Sequence, residues 1–168
     1  MPKNFYITGL PRSRTAWLSV FLTHGNAFCH HEAMNGCHSI EDYQAKMSLS
    51  GYDFVGNSDC GLFLSPELIN GPLIIIERDI DEVLHSLVKL FPGYDLRSYI
   101  SGIRDQIQQL NGLRIPYNQL NDRLDEIWKY CIGEGYDRFY AENLKKMNIQ
   151  TNKIQGDSMS FEVFSCRG

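Results

Sequence analysis

The segment at residues 73–77 reads Leu-Ile-Ile-Ile-Glu and is apolar at almost every position. A half-buried strand alternates apolar and polar residues, whereas a continuous β-branched run indicates burial on both faces. Such strands are typical of parallel sheets that are covered by helices on both sides. Further apolar runs at 4–8, 27–30, 53–58 and 113–117 alternate along the chain with helical patterns. We therefore predict an α/β fold, a three-layer αβα sandwich with a mostly parallel central sheet.

Helical patterns are predicted between these strands and after 113–117, which we expect to be the last strand. Ser39 stands three residues before Asp42, as an N-cap residue does at the start of a helix. Pro92 and Gly93 end the helix that follows strand 73–77. The predicted helices cover 15–23, 40–49, 81–91, 96–110, 122–131 and 137–147. Because no repeat, low-complexity tract or linker divides the sequence, we predict one domain over residues 1–168.

Composition limits the classes of function. The formal net charge of −4 gives no general attraction for nucleic acid. No apolar run approaches the roughly 20 residues that cross a bilayer, and no basic region with an apolar stretch opens the sequence. The five cysteines include no Cys-x-x-Cys pair, which is typical of a reducing compartment. We therefore expect a cytoplasmic protein without a nucleic-acid or membrane partner, while its oligomeric state stays open.

The first strand leads into a tight turn and a helix, over the sequence Phe-Tyr-Ile-Thr-Gly-Leu-Pro-Arg-Ser-Arg-Thr-Ala-Trp at 5–17. Such a turn leaves backbone N–H groups unpaired beside the positive end of the helix, so it can hold an anion. Arg12 and Arg14 add planar donors that suit phosphate or sulfate. Counted from Gly9, the turn is one residue shorter than a Walker A loop and has no lysine. This departure disfavours an ATPase or GTPase.

A second group of candidate anion ligands follows strand 73–77. Ligands of open α/β sheets bind at the carboxyl ends of the strands, so this segment should neighbour the turn after the first strand. Arg78 leaves the end of the strand, and Ser86 lies eight residues later on the next helix. We predict that both bind one anionic group. The alternatives are an ion pair of Arg78 with Glu77 or Asp81, and a serine that bonds its own helix.

The two segments together resemble the sulfotransferases that use 3′-phosphoadenosine-5′-phosphosulfate (PAPS). The sequence Pro-Arg-Ser-Arg-Thr-Ala-Trp at 11–17 resembles the family's 5′-phosphosulfate loop, commonly Pro-Lys-Ser-Gly-Thr-Thr-Trp. Arg78 and Ser86 resemble the family's 3′-phosphate motif. The resemblance is clear over residues 4–23 and 72–92, and it implies a fold like that of the P-loop nucleoside triphosphate hydrolases.

The function that this resemblance implies is sulfuryl transfer from PAPS to a hydroxyl or amine of a small-molecule or glycan acceptor. The product would be adenosine 3′,5′-bisphosphate (PAP). Arg12 would replace the family's loop lysine at the phosphosulfate, and Arg78 with Ser86 would bind the 3′-phosphate. The closing Cys-Arg-Gly faintly resembles the family's Arg-Lys-Gly phosphate contact, which would give Arg167 a role in binding phosphate. The rest of the phosphate loop would comprise Ser13, Arg14, Thr15, Ala16 and Trp17.

Single positions of this loop allow other interpretations. Trp17 would lie beside the adenine, but a tryptophan at this spacing also fits an ordinary core position. Arg14 replaces the family's loop glycine, and Ala16 lacks one hydroxyl. The family's Thr-His dipeptide after a central strand is also absent, since the comparable stretch at 56–60 reads Gly-Asn-Ser-Asp-Cys.

The catalytic base must therefore come from another position. Some relatives use a glutamate that follows the first helix, and the segment Cys-His-His-Glu at 29–32 occupies that region here. Glu32 is the first candidate, His31 the second, and Asp59, after strand 53–58, the third. A solvated loop pair is the alternative interpretation of His31 and Glu32.

Three other interpretations are alternatives to sulfuryl transfer. The Cys, His and Glu residues at 29–38 are possible zinc ligands, but neighbouring residues on a strand point to opposite faces, so we expect no metal. A non-catalytic nucleotide-binding or interaction module on the same scaffold is the main rival, because a fold and an anion site do not guarantee chemistry. A P-loop small-molecule kinase is disfavoured by the missing lysine.

Overall fold

A parallel sheet forms the centre of the protein. The computed structural model describes residues 1–151 and 161–165, and its central sheet has five strands in the order β2-β3-β1-β4-β5, all paired in parallel. The strands are β1 (Lys3–Gly9), β2 (Ala27–His31), β3 (Phe54–Ser58), β4 (Leu73–Glu77) and β5 (Leu113–Pro116). The predicted α/β class and parallel sheet are confirmed.

Helices cover both faces of this sheet. The side chains of Ser39, Asp79 and Asp137 start three of them, because each accepts a hydrogen bond from a backbone N–H group of the following turn, at 3.1, 2.8 and 2.9 Å. In the described part of the chain, no helix is both long and apolar enough to cross a membrane. The helices are α1 (Thr15–Phe21), α2 (Ile40–Met47), α3 (Ile80–Val88), α4 (Arg97–Gln108), α5 (Leu124–Cys131) and α6 (Arg138–Lys145).

Alternate residues of the inner strands separate two apolar cores. Phe5 and Ile7 of β1 pack with α1, α5 and α6 on one face of the sheet. Tyr6 of β1 and Ile75 of β4 pack with α2, α3 and α4 on the other face. Because both faces of the same strand are buried, the continuous apolar run of β4 is explained by its central position. The predicted three-layer arrangement is confirmed.

The chain adds a small antiparallel sheet that the sequence patterns did not indicate. Strands β6 (Met147–Thr151) and β7 (Phe161–Ser165) pair with each other. The expectation that 113–117 is the last strand was therefore wrong, and Met147 belongs to β6 rather than to the preceding helix. The short segment 147–151 carries a weak pattern of its own, and it becomes a strand by pairing and by burial of Ile149 in the core beside α1.

Close packing between β1 and β3 requires glycine at position 56. A Cβ atom there would lie 2.1 Å from a ring carbon of Phe5, and the fully buried ring has no space into which to move. We expect Gly56→Ala to lower the free energy of unfolding by about 1–3 kcal/mol, measured by urea denaturation.

Gly102→Ala is the matched control for that variant. Gly102 lies in α4, and a Cβ atom there would meet nothing within 4 Å. This substitution should leave the free energy of unfolding unchanged or raise it by up to about 1 kcal/mol, because alanine favours the helix. Equal effects of the two substitutions would contradict the close approach of Phe5.

Candidate functional site

The candidate site lies at the carboxyl ends of β1 and β4. These strands are parallel neighbours, and Gly9 is paired with Ile76. A Cβ atom at Gly9 would lie 2.8 Å from the carbonyl oxygen of Ile76. Only glycine therefore lets the chain leave β1 this close to β4. As a result, the turn after β1 and the segment after β4 start side by side.

The turn after β1 contains two arginines with left-handed backbone conformations. Arg12 has a φ of 69° and Arg14 a φ of 62°. For a residue other than glycine, this conformation costs about 1–2 kcal/mol, and such strain concentrates at functional sites. Arg14 thus adopts the backbone that glycine favours at the position where the resembling family has its loop glycine. Arginine in place of this glycine changes the side chain, but the backbone at position 14 keeps the left-handed conformation.

Hydrogen bonds connect this turn to the segment after β4. The Nε atom of Arg12 donates to Ser86 Oγ at 3.1 Å, and Arg78 Nη1 donates to the carbonyl oxygen of Arg12. The Nε atom of Arg78 also donates to Glu82 at 3.3 Å, so its ion pair is with neither Glu77 nor Asp81. Arg12 therefore contacts both Arg78 and Ser86. The two segments lie side by side, as the sequence predicted.

Aromatic faces hold two of the guanidinium groups. The Arg78 guanidinium lies 4.0 Å from the ring centroid of Tyr117, and the Arg14 guanidinium lies 4.3 Å from the ring centroid of Trp17. Arg14 Nη1 also donates to Asn121 at 2.7 Å. Among the side chains that the structure describes, no carboxylate forms an ion pair with Arg12 or Arg14. Burial lowers the pKa of the Arg14 guanidinium, so an anion here would relieve a desolvated charge.

These groups surround a cavity of about 600 Å³. Residues from the turn, from the end of β2 and from the segment after β4 line it together. Ser13 and Asp59 do not line it, and Arg167 lies outside the described residues. The sequence-predicted residues that do line it are Arg12, Arg14, Thr15, Ala16, Trp17, His31, Glu32, Arg78 and Ser86.

Ser13 and Asp59 are both buried away from this cavity. Ser13 is fully buried, and its Oγ atom has no hydrogen-bond partner among the described residues. The Asp59 carboxylate turns back to accept a hydrogen bond from the N–H group of Gly61 at 2.7 Å, and burial raises its pKa. The geometry therefore favours Glu32 and His31 over Asp59 as candidate bases.

His31 and Glu32 form the wall of the cavity at the end of β2. The Nε2 atom of His31 lies 3.8 Å from Glu32 Oε1 and 3.4 Å from Thr15 Oγ1. Burial lowers the pKa of His31 to about 4, so the imidazole is neutral near pH 7. Glu32 has a left-handed backbone with a φ of 55°, and 28% of its side chain is exposed. Of the two, Glu32 presents the more accessible base to the cavity.

Trp17 is mainly a core residue with one edge at the cavity. It is 2% exposed, and its indole N–H donates to the carbonyl oxygen of Leu144 at 3.2 Å. Its ring also stacks on Phe21 with the centroids 5.5 Å apart. Most of the surface of the Trp17 ring is thus covered by protein. The Arg14 guanidinium also lies over this ring, so Trp17 offers no free aromatic face to a ligand.

Sequence reasoning gave no definite role to three residues at the site. Tyr117 follows β5, so the rule that ligands bind at the carboxyl ends of strands could have indicated it. Asn121 carried no signal, because its contact with Arg14 arises only in the fold. Cys60 lines the cavity, and burial raises the pKa of its thiol to about 11. The thiol is then protonated near neutral pH and is a poor nucleophile.

The candidate zinc ligands of the sequence do not form a metal-binding group in the described part of the chain. Over residues 1–151 and 161–165, no three His, Cys, Asp or Glu side chains are grouped so that they could hold a metal ion. Two of the candidate ligands form hydrogen bonds within the protein. The ring of His30 bonds the carbonyl oxygen of Lys46 at 3.1 Å, and the Cys37 thiol donates to the carbonyl oxygen of Ala33.

Comparison with known proteins supports the fold. No family model and no curated protein sequence matches the chain. Among solved structures, it resembles the crystal structure of mouse sulfotransferase SULT7A1 complexed with PAP, with a TM-score of 0.57 and 11% sequence identity. The match covers 84% of this chain and 62% of that chain. The chain thus shares the fold of a sulfotransferase while spanning less than two thirds of that protein.

Burial of His31 predicts that stability depends on pH. Its pKa falls from 6.5 to about 4 on folding, so between these values the unfolded chain binds more protons than the folded one. The free energy of unfolding should therefore decrease as the pH is lowered through this window, by up to about 3 kcal/mol from His31. We expect His31→Gln to remove this part of the decrease, measured by urea denaturation at pH 7 and pH 4.5.

His38→Gln is the control for this measurement, because His38 is exposed. The control should retain the pH dependence of the unchanged protein. If His31→Gln and His38→Gln had the same pH dependence, the neutral buried imidazole would be contradicted.

Proposed function

We propose that the chain binds PAPS and transfers its sulfuryl group to a hydroxyl or amine of an acceptor. The observation that carries this proposal is the meeting of Arg12, Arg78 and Ser86 at one cavity. These residues come from segments that are 66 and 74 positions apart in sequence. Two motifs that separately resemble the 5′- and 3′-phosphate motifs of one family thus lie at one place in the fold.

The residues of the cavity fit this donor chemically. A nucleotide with phosphate at two positions needs several cationic donors, and three arginines line the cavity: Arg12, Arg14 and Arg78. Its volume of about 600 Å³ lies within the roughly 300–1,000 Å³ of small-molecule sites. The PAP in the structural neighbour supports the same ligand class.

Each residue then has a defined task in the proposed reaction. When bound, PAPS supplies the sulfuryl group that is transferred. Arg12, within the turn after β1, neutralises negative charge on the transferring group. Glu32, in the wall formed at the end of β2, accepts the proton of the acceptor. His31 stays neutral and packs between Glu32 and Thr15, which fixes the wall without adding positive charge.

Nucleotide binding tests the donor half of the proposal. We expect PAP to bind more tightly than AMP in titration calorimetry, because only PAP carries the 3′-phosphate. Arg12→Ala and Arg78→Ala should each weaken PAP binding by about 1.5–3 kcal/mol, the contribution of a charged hydrogen bond. AMP affinity should fall less for Arg78→Ala than for Arg12→Ala.

Arg104→Ala provides the matched control for these variants. Arg104 lies on α4 and bonds its neighbour Asp105 at 2.8 Å, so PAP affinity should not change. A protein that bound PAP and AMP equally well would contradict the assignment of the 3′-phosphate to Arg78 and Ser86.

Sulfuryl transfer distinguishes an enzyme from a binding module. We expect Glu32→Gln to lower the rate of ³⁵S transfer from labelled PAPS by about 10²–10⁴-fold, because the amide cannot accept the acceptor proton. PAP affinity of this variant should stay close to that of the unchanged protein. Glu41→Gln, at an exposed position of α2, is the control and should leave the rate unchanged.

The rival function is a non-catalytic PAP-binding module on the same scaffold. The burial of Asp59 favours it, since the end of β3 then offers no accessible base. PAP binding without transfer to any acceptor in a broad panel would support this rival.

A further inference from the structure

The segment that follows β5 contacts two of the arginines that line the cavity. The ring centroid of Tyr117 lies 4.0 Å from the guanidinium of Arg78, and the side-chain oxygen of Asn121 accepts a hydrogen bond from Arg14 Nη1 at 2.7 Å. Leu120, between the two, is fully buried in the core beside α1. Because a close-packed side chain allows little movement, this burial fixes Asn121 relative to the sheet.

The Arg14 side chain is held at three points. Its backbone has a φ of 62°, its guanidinium lies 4.3 Å from the ring centroid of Trp17, and its Nη1 atom donates to Asn121. A guanidinium has five N–H donors, and the bond to Asn121 uses one of them. The same group lines the cavity, so it can donate to a ligand while Asn121 and Trp17 hold it.

The hydrogen-bond partner of Arg14 is a neutral amide, although a carboxylate follows it directly in the sequence. That carboxylate, Asp122, forms no ion pair with Arg14 in the described part of the chain. An amide oxygen fixes the direction of the guanidinium, whereas a carboxylate at the same point would also cancel its charge. Asn121 does not itself line the cavity. Its effect on a ligand is therefore exerted through Arg14.

We propose that Asn121 is a positioning residue, which holds the Arg14 guanidinium over Trp17 with its positive charge uncancelled so that it binds a phosphate group of the nucleotide. The inference rests on the proposed function, since the anion is that of the nucleotide. Arginine at position 14 then adds a phosphate donor that the glycine of the resembling family cannot supply. Asn121 lets this donor keep both a fixed direction and its full charge.

Two substitutions of Asn121 distinguish the positioning of a charge from a merely structural contact. Asn121→Asp keeps an oxygen acceptor for Arg14 but neutralises the guanidinium, so PAP affinity should fall by about tenfold or more in titration calorimetry. Asn121→Ala removes the hydrogen bond and leaves the charge. Its PAP affinity should fall by only about threefold, because the released side chain must be ordered again on binding. A merely structural contact predicts the reverse order, with Asn121→Asp the less affected of the two variants.

Arg14→Gly tests whether Asn121 acts through Arg14. Glycine favours the left-handed backbone at this position, so the variant should fold. Loss of the guanidinium should lower PAP affinity by about tenfold, as expected for a charged hydrogen bond. In the Arg14→Gly background, the further substitution Asn121→Ala should leave PAP affinity unchanged, because the partner of Asn121 is already absent.

Asn111→Asp is the matched control for the change in charge. Asn111 is exposed and precedes β5, so it lies at the amino end of that strand, whereas the cavity lies at the carboxyl ends of the strands. This substitution changes the net charge of the protein by the same amount as Asn121→Asp. It should leave PAP affinity unchanged.

The outcomes separate the inference from the proposed function. If PAP bound to the unchanged protein and to Asn121→Asp or Arg14→Gly equally well, the positioning role would be overturned and nucleotide binding would stand. The same holds if Asn121→Ala weakened PAP binding equally with and without Arg14. Failure of the unchanged protein to bind PAP would overturn the proposed function and, with it, this inference.

Discussion

The parallel pairing of β1 with β4 is the constraint on which the candidate site depends. It brings Gly9 to Ile76 at the carboxyl edge of the sheet, so the turn after β1 lies against the segment after β4. Arg78 can then donate to the carbonyl oxygen of Arg12, and Arg12 can reach Ser86. None of these contacts is local in sequence. A shift of register between the two strands would separate the cationic groups even if every side chain stayed the same.

The charges of the site are only partly balanced by the protein itself. Arg78 has Glu82 as an ion-pair partner, but the described side chains supply no carboxylate to Arg12 or Arg14. The ring of Trp17 and the amide of Asn121 stabilise the Arg14 guanidinium in place of an anion, and a cation–π contact contributes only about 0.5–1 kcal/mol at exposed positions. The left-handed backbone at both arginines adds strain. Both features favour a site that is completed by a bound anion.

The sequence was most informative where one physical rule acted alone. The β4 run is apolar because both faces are buried, and Ser39 marks a helix start because its side chain caps the first turn. The sequence was less informative where tertiary contacts decide the local structure. The strand at 147–151 forms through its partner strand, and the contact of Asn121 with Arg14 needs the folded chain. The rule that ligands bind at the carboxyl ends of the strands placed Arg12 and Arg78 together, but it could not show that Ser13 is buried.

The order of the strands explains why the candidate base lies at the end of β2. At the end of β3, the N–H group of Asp59 bonds the carbonyl oxygen of Ile7 at 2.9 Å, and its carboxylate turns inward to Gly61. The next strand outward is β2, where Glu32 N donates to the carbonyl oxygen of Ser58 at 3.1 Å. Under the proposed function, the group that accepts the proton therefore lies at the end of β2, one strand nearer the edge of the sheet than β3. No further strand of the central sheet pairs beyond β2 in the described chain, and a cavity of about 400 Å³ lies between this edge strand and α1.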